Sequence, residues 1–239
     1  MLEILGYPFI IYKILYNGML SCKLKYKDEN GNDIKNELAE RKEQLIAETF
    51  ILEKSTVLEL GARYGTVSCV INKRICDSTK QVSVEADKRV INALEKNKKR
   101  NKCEFNIVYG TVSKSPLKLE NTDVVKGYGS TTVKDENSSI PNHSISSLEE
   151  KYNLKFDTLV ADCEGCLCDF LDENPTFIHQ LHTVFFEKDY TEKCNYSIIV
   201  KKLKKNGFIP IVTDTNHEVW RKSKSKKIGG RRKTKRRKH

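Results

Sequence analysis

The chain has no apolar run of the ~18 residues that a bilayer-spanning helix needs. Its opening segment, MLEILGYPFIIYKIL, is interrupted by Gly6, Pro8 and Lys13, and no small-residue cleavage site follows it. We therefore expect neither a signal peptide nor a membrane anchor, and this absence indicates a cytoplasmic protein.

The sequence also lacks a complete set of zinc ligands. Cys163 and Cys166 form one C-x-x-C pair, but no second pair follows, and His179 and His182 are too close together for a zinc-binding histidine pair. Eight cysteines without a secretory context predict a reducing compartment and mostly free thiols. We predict no metal ion, although the residue pattern leaves a divalent metal open as an option.

Acidic residues are absent from the end of the chain. Residues 221–239 contain 12 Lys or Arg and no Asp or Glu, whereas residues 1–220 contain 31 basic and 32 acidic residues. The formal net charge of +11 therefore comes from this tail. We expect a disordered tail that could contact phosphates or nucleic acid nonspecifically, and a nuclear location is the alternative to a cytoplasmic one.

Strand and helix patterns alternate through the rest of the chain. Apolar, β-branched stretches are separated by amphipathic stretches with a helical period, which is typical of a parallel sheet covered by helices on both faces. The predicted core strands are 56–61, 81–87, 104–110, 156–162, 182–189 and 208–214, and the predicted helices are 37–52, 67–76, 89–101 and 197–207. The predicted fold class is therefore α/β and Rossmann-like, with a mostly parallel central sheet.

The same patterns divide the chain into three regions. Residues 1–54 form an N-terminal extension with short strands and a helix, residues 55–215 form the central domain, and residues 216–239 form the basic tail. Within the domain, residues 111–147 are polar, rich in Ser and Thr, and without a clear period. Long irregular segments inside compact domains are often lids or binding loops, so we expect residues 111–147 to cover a substrate.

A glycine-containing turn follows the first core strand in VLELGARYG. Gly61 and Gly65 would let the backbone approach a ligand at the carboxyl edge of the sheet, where Ala62 and Tyr64 also lie. The dinucleotide pattern G-x-G-x-x-G is absent, and Glu59 in its place would repel a pyrophosphate. A carboxylate at this position suits a cationic ligand such as S-adenosylmethionine.

Two further strand ends complete the predicted cofactor site. The second strand ends at Glu85, 24 residues after Gly61, and Ala86 follows it. A carboxylate at this point can accept both hydroxyls of a ribose. We expect the residues at the end of the third strand to lie near an adenine: Tyr109, Gly110 and Thr111.

Three carboxylates follow the later strands. Asp162 and Glu164 lie in DCEGCLCDF, and Glu187 lies in VFFEKD. They can hold an acceptor hydroxyl and take its proton, with Asp162 also bordering the cofactor. The C-x-x-C pair after a strand resembles a redox arrangement, but Glu164 inside it would disfavour a thiolate. We interpret Cys166 and Cys168 as small, reduced packing residues that Ala or Ser could replace without loss of activity.

These motifs, in this order, resemble those of the FkbM family of S-adenosylmethionine-dependent methyltransferases. The resemblance covers residues 55–213: VLELGARYG is similar to the family's glycine turn, VSVEAD to its acidic strand end, and FDTLVADCEGCLCDFL and VFFEKDY to its two later acidic motifs. It implies a Rossmann-like methyltransferase fold and O-methylation of a sugar, a glycan or another small hydroxylated molecule. Arg63 and Tyr64 replace the small or amide residues usual in the family.

The basic tail is similar to tails of large DNA virus proteins, which would place the protein in a host cytoplasm or a virion.

Other functions stay open at this point. An RNA 2′-hydroxyl methyltransferase would need lysines beside the acidic residues, and Lys188 alone is so placed. Other nucleic-acid methyltransferases would need an Asp/Asn-Pro-Pro-aromatic run or a Pro-Cys nucleophile, and both are absent. A catalytically inactive nucleic-acid-binding protein is the third alternative. Four histidines are further candidates for a base: His143, His179, His182 and His217.

Overall fold

A computed structural model describes residues 20–21, 23–34, 40–120 and 130–223 of the chain. The β-like stretch FIIYKIL and most of the basic tail lie outside these residues. Among the helices of the described ranges, none has the length and apolar character required to cross a membrane.

The described residues form thirteen strands and seven helices. The strands are β1 (Tyr26–Lys27), β2 (Asp33–Ile34), β3 (Val57–Leu60), β4 (Gln81–Glu85), β5 (Asn106–Tyr109), β6 (Thr111–Val112), β7 (Leu117–Glu120), β8 (Thr131–Lys134), β9 (Asn142–His143), β10 (Thr158–Ala161), β11 (Thr183–Glu187), β12 (Phe208–Thr213) and β13 (His217–Lys222). The helices are α1 (Arg41–Phe50), α2 (Thr66–Arg74), α3 (Lys88–Arg100), α4 (Ile145–Tyr152), α5 (Leu167–Glu173), α6 (Phe177–Gln180) and α7 (Tyr196–Lys205).

Seven strands form the central sheet in the order β12-β13-β11-β10-β3-β4-β5. The five strands from β11 to β5 are parallel, and β13 is antiparallel to both of its neighbours. Strands β3, β4 and β10 are buried along their whole length, as expected for parallel strands covered on both faces, and their polar residues Glu59, Gln81 and Ser83 are buried as well. The strand order reverses between β3 and β10, and ligands of such sheets bind at this switch point.

Helices cover both faces of the sheet. Helices α1, α2 and α3 pack on one face through residues such as Ile46 and Ile71, and α4, α5 and α7 pack on the other through residues such as Leu148 and Ile199. The predicted α/β architecture, with a mostly parallel sheet between two helical layers, is confirmed.

The sheet extends beyond the predicted end of the domain at residue 215. Strand β13, which sequence analysis assigned to the basic tail, lies between β11 and β12 and buries Trp220. The charged residues of β13 interrupt the apolar pattern by which a strand is recognised in the sequence. Two of these charged residues have partners in the fold. Glu218 pairs with Lys188 at 3.0 Å, and the Arg221 guanidinium donates to the Phe50 carbonyl at 2.7 Å.

The segment predicted to cover a substrate, residues 111–147, forms two small pairings in its described part. Strand β6 pairs with β9 in parallel, and β7 pairs with β8 in antiparallel orientation. Lys193, from the loop before α7, donates to the Thr131 hydroxyl at 2.6 Å and so connects β8 to the central domain.

Candidate functional site

A cavity of about 770 Å³ lies beyond the carboxyl ends of β3, β4, β10 and β11. Nine residues expected to form the site from the sequence line it: Gly61, Tyr64, Glu85, Ala86, Gly110, Thr111, Asp162, Glu164 and Glu187. Four others do not line it: Glu59, Ala62, Gly65 and Tyr109. The cavity therefore brings together strand ends that are up to 126 residues apart in the sequence.

The turn after β3 packs directly against the end of β10. Ala161 pairs with Leu60, so the residues that follow, Asp162 and Gly61, are neighbours at the sheet edge. Gly61 has a φ of +87°, and a Cβ on it would lie 1.7 Å from the Asp162 carbonyl oxygen. Glycine is therefore required at position 61 because the backbone of Asp162, just after β10, leaves no room for a side chain. From the sequence, we expected instead that this glycine lets the backbone approach a ligand.

Glu59 does not border the cavity, contrary to the sequence-based expectation. Its side chain is 2% exposed and accepts hydrogen bonds from Ser83 and Gln81 on β4. Because side chains alternate along a strand, Leu60 faces the cavity and Glu59 faces the layer of α2. Burial raises the pKa of Glu59 to about 7, with hydrogen bonds from Ser68, Ser83 and Gln81 acting in the opposite direction.

Glu85 is held in position at the end of β4 by two backbone groups. Its Oε1 accepts from the Asp87 N–H at 2.6 Å, and its Oε2 accepts from the Arg63 N–H at 2.6 Å. Burial raises the pKa of Glu85, although these two hydrogen bonds lower it. Each carboxylate oxygen has two lone pairs, so the group can accept further hydrogen bonds from a ligand in the cavity.

Arg63 and Tyr64, which depart from the family pattern, form one edge of the cavity. The Arg63 guanidinium lies 4.7 Å from the centre of the Tyr64 ring, and the Tyr64 hydroxyl donates to Glu29. Arg63 was not among the residues predicted from the sequence. Its neighbour Ala62 is buried in the core beneath the turn.

Three strands place acid–base groups in one row at the sheet edge. Ala161 pairs with Phe186, so Asp162 follows next to Glu187, and Glu187 itself pairs with His217 on β13. Carboxylate oxygens of Asp162 and Glu187 lie within 4.8 Å of each other, and the interaction between the two carboxyl groups raises the pKa of Asp162 and lowers that of Glu187. Burial raises the pKa of Asp162 well above its usual range, and the charges of Glu187 and Glu40 add to this effect.

Helix α1 and the residue before it add two acidic side chains that sequence analysis placed outside the domain. Glu40 and Glu43 line the cavity, and Glu43 contacts His217, which lies 174 residues later in the chain. Burial raises the pKa of Glu40 to about 8, with the charge of Glu43 adding to this effect. No local pattern in the sequence could reveal these residues, because the site takes them from an element that precedes the core strands.

The cysteines of DCEGCLCDF are not free thiols. Cys163 is bonded to Cys166, and Cys168 is bonded to Cys194 before α7. Their Cα separations of 5.4 and 5.3 Å lie within the usual disulfide range. The interpretation of Cys166 and Cys168 as reduced packing residues is therefore wrong, and the inference of a reducing compartment loses this support. Only the fold brings Cys194 to α5, because it lies 26 residues after Cys168 in the sequence.

Removing the longer disulfide is expected to destabilise the protein more than removing the shorter one. The pair Cys168–Cys194 closes a loop with a sequence separation of 26 residues, so the double Ser variant should lose about 3 kcal/mol of unfolding free energy. The pair replaced in the matched Cys163→Ser/Cys166→Ser variant closes a separation of 3, and this variant should lose about 2 kcal/mol. Guanidinium unfolding without reductant measures both, and equal stability of the two variants and the wild type would contradict the expectation.

Comparison with known proteins identifies the fold but no family. No protein-family model matches the chain, and no curated protein matches its sequence. A candidate O-methyltransferase from Klebsiella pneumoniae has a similar structure with a TM-score of 0.50, 8% identity, and 90% of each chain covered. Together with the sheet order, this similarity shows that the chain has the Rossmann-like fold found among methyltransferases.

Two other solved structures are similar over most of the chain. A precorrin-6y C5,15-methyltransferase from Geobacter metallireducens has a TM-score of 0.48 and 11% identity, covering 75% of this chain and 87% of its own. A ribosomal protein L11 methylase from Lactobacillus delbrueckii subsp. bulgaricus has a TM-score of 0.47 and 14% identity, covering 77% and 79%.

Proposed function

We propose that this protein is an S-adenosylmethionine-dependent O-methyltransferase that acts on a hydroxyl of a sugar, a glycan or another small molecule, as its resemblance to the FkbM family implies. The observation that carries the proposal is the presence of two different carboxylate arrangements on one cavity at the switch point of the sheet. Glu85, fixed by two backbone N–H groups, lies on one side, and the neighbouring carboxyl groups of Asp162 and Glu187 lie on the other.

The residues around Glu85 fit the proposed cofactor. A carboxylate with spare acceptor capacity suits the two hydroxyls of a ribose. Bound S-adenosylmethionine would supply an electrophilic methyl group on a sulfonium centre. The residues proposed to contact it line the cavity beside Glu85: Gly61, Tyr64, Ala86, Gly110, Thr111 and Asp162.

The carboxyl pair suits removal of a proton from the acceptor. A general base works best when its pKa lies near the working pH, and burial raises the pKa of both Asp162 and Glu187. In the pair, one carboxyl group is protonated and the other can accept a proton from a hydroxyl held nearby. Glu164, which borders the same part of the cavity, is proposed to orient that hydroxyl.

The charge of the cavity favours a small acceptor over RNA. Eleven of the side chains that line it are Asp or Glu, and three are Lys or Arg. Such walls attract a cofactor with sulfonium and ammonium groups and repel a polyanion. The RNA 2′-hydroxyl alternative is therefore disfavoured, and nucleic-acid binding by residues 224–239 lies outside the described part of the chain.

Replacing Glu85 with Gln is expected to weaken binding of S-adenosylmethionine by about tenfold or more, because a charge-assisted hydrogen bond to the ribose contributes ~1.5–3 kcal/mol. Isothermal titration calorimetry measures the change. Glu95→Gln, on the exposed side of α3, is the matched control and should bind as the wild type does. Wild-type protein that binds no S-adenosylmethionine would refute the proposed function.

The acceptor is identified by mass spectrometry. Candidate sugars, glycans and small hydroxylated molecules are incubated with the protein and methyl-labelled S-adenosylmethionine, and the label is followed into the product. We expect the label on an oxygen of a small molecule. Transfer to RNA in preference to every small acceptor would overturn the assignment of the substrate class.

A further inference from the structure

His217 lies at the buried end of the row that begins with the catalytic carboxyl pair. Its side chain is 3% exposed in β13. Its Nε2 contacts Glu43 of α1 and lies 3.6 Å from Glu187 Oε1, and its Nδ1 lies 3.5 Å from Asp214 Oδ1. Three carboxylates from three separate parts of the fold therefore surround one imidazole.

The groups around the imidazole favour its protonated form. Burial alone lowers the pKa of His217, but the hydrogen bond to Glu43 and the charges of Glu43, Glu187 and Asp214 outweigh this effect, so the pKa is raised. In return, the contact with His217 lowers the pKa of Glu43. The charged imidazole also lowers the pKa of Glu187, against the larger effect of burial.

We propose that His217 is a positioning residue whose protonated imidazole keeps one carboxyl group of the Asp162–Glu187 pair ionised, so that the pair can accept the proton of the acceptor hydroxyl. The inference rests on the proposed O-methyl transfer and adds a residue that touches neither substrate nor cofactor. The proton leaves the hydroxyl oxygen and ends on the ionised carboxyl group. The pair then holds two protons, and His217 keeps its own.

Other charged groups near the row of acid–base residues also act on His217 and on the carboxyl pair. Lys42 pairs with Asp214 at 2.9 Å and so reduces the negative charge on one side of the imidazole. Glu40 and Asp189 face the carboxyl pair from the start of α1 and from the segment after β11, and both are acidic. Lys188 is engaged with Glu218 at 3.0 Å. His217 is therefore the cation in contact with Glu187 among the described residues.

The test is the pH dependence of methyl transfer in His217→Gln. Loss of the imidazolium raises the pKa of the pair, so the pair becomes doubly protonated at a higher pH. The acid limb of the rate profile should move upward by about one pH unit, which is about a tenfold loss of rate at a fixed pH on that limb. The rate on the alkaline plateau should stay near that of the wild type, and the affinity for S-adenosylmethionine should not change.

Two further variants separate charge from structure. In His217→Gln/Glu43→Gln the negative charge that faces Glu187 is also removed, so the acid limb should return part of the way toward the wild type. His179, a candidate base from the sequence, is exposed and does not line the cavity, so His179→Gln should leave the profile unchanged. A uniform loss of rate in His217→Gln without a shift of the acid limb would overturn the proposal.

A titration by nuclear magnetic resonance tests the same coupling without any activity. The imidazole of His217 should titrate above the pKa of ~6.5 of an unperturbed histidine, and Glu43→Gln should move it to lower pH. If the protein methylates no acceptor, the proposed function fails while this titration still decides whether His217 is charged beside the pair. A His217 that titrates as an exposed histidine does, in both proteins, would overturn the inference.

Discussion

Replacement of Asp162 with Asn is expected to lower the rate of methyl transfer by about a hundredfold or more, the usual contribution of a general base. Asn has nearly the shape of Asp but cannot share a proton with Glu187 or accept one from the substrate. The affinity for S-adenosylmethionine should fall little, because Asp162 is proposed only to border the cofactor, whereas Glu85 is proposed to hold its ribose. Single-turnover rates and calorimetry on the same preparation measure the two effects separately.

Asp172→Asn is the matched control for Asp162→Asn. Asp172 lies on α5, ten residues further along the chain, and pairs at the surface with Lys202. Exposed ion pairs contribute at most about 1 kcal/mol to stability, so this variant should keep the rate of the wild type. An Asp162→Asn protein with full methyl transfer would remove the carboxyl pair from the mechanism. Because Asp162 and Glu187 act as a unit, the variants at the two positions should not be additive.

Replacement of Gly61 with Ala is expected to be the most damaging change to the fold around the site. The new Cβ would lie 1.7 Å from the Asp162 carbonyl oxygen, so β3 and β10 would have to move apart at the switch point. We expect a loss of about 4 kcal/mol or more in unfolding free energy, measured by guanidinium titration, together with loss of cofactor binding.

Gly207→Ala separates the clash from the backbone conformation. Gly207 has a φ of +80°, close to that of Gly61, but no atom lies within 4 Å of the position of its Cβ. The variant therefore carries only the cost of a left-handed Ala, about 1–2 kcal/mol. Equal destabilisation at the two positions would show that contact with β10 does not explain the glycine at position 61.

The order of strands and helices could be read from the sequence because it depends on local patterns. Strands β3, β4 and β10 are buried on both faces and are rich in apolar β-branched residues or Leu, whereas α3, which follows β4, has one buried and one exposed face. The carboxyl ends of parallel strands lie on one edge, so the strand pattern alone predicts that Glu85, Asp162 and Glu187 converge. All three side chains line the cavity.

The direction of a side chain at the sheet edge could not be read in the same way. Glu59 lies one residue before the cavity-facing Leu60 and therefore points into the opposite layer. Glu59 does not line the cavity because a shift of one residue along a strand decides which face of the sheet a side chain occupies. A sequence motif gives the position of an acidic residue but does not state where its carboxylate points.

The sequence pattern is sufficient to predict the fold class, the sheet edge that carries the candidate site, and the acidic character of that edge. Only the tertiary structure shows which distant groups lie near this edge. His217 comes from β13, whose charged residues obscure the strand pattern, and Glu43 comes from the helix before the domain. Cys194 is the disulfide partner of Cys168. The physical reason is that periodicity reports the burial of neighbouring residues, whereas pairing between residues 26 to 174 positions apart depends on strand order and register. The stretch DCEGCLCDF thus contains both an acid–base group of the proposed site and the disulfides that hold its wall in place.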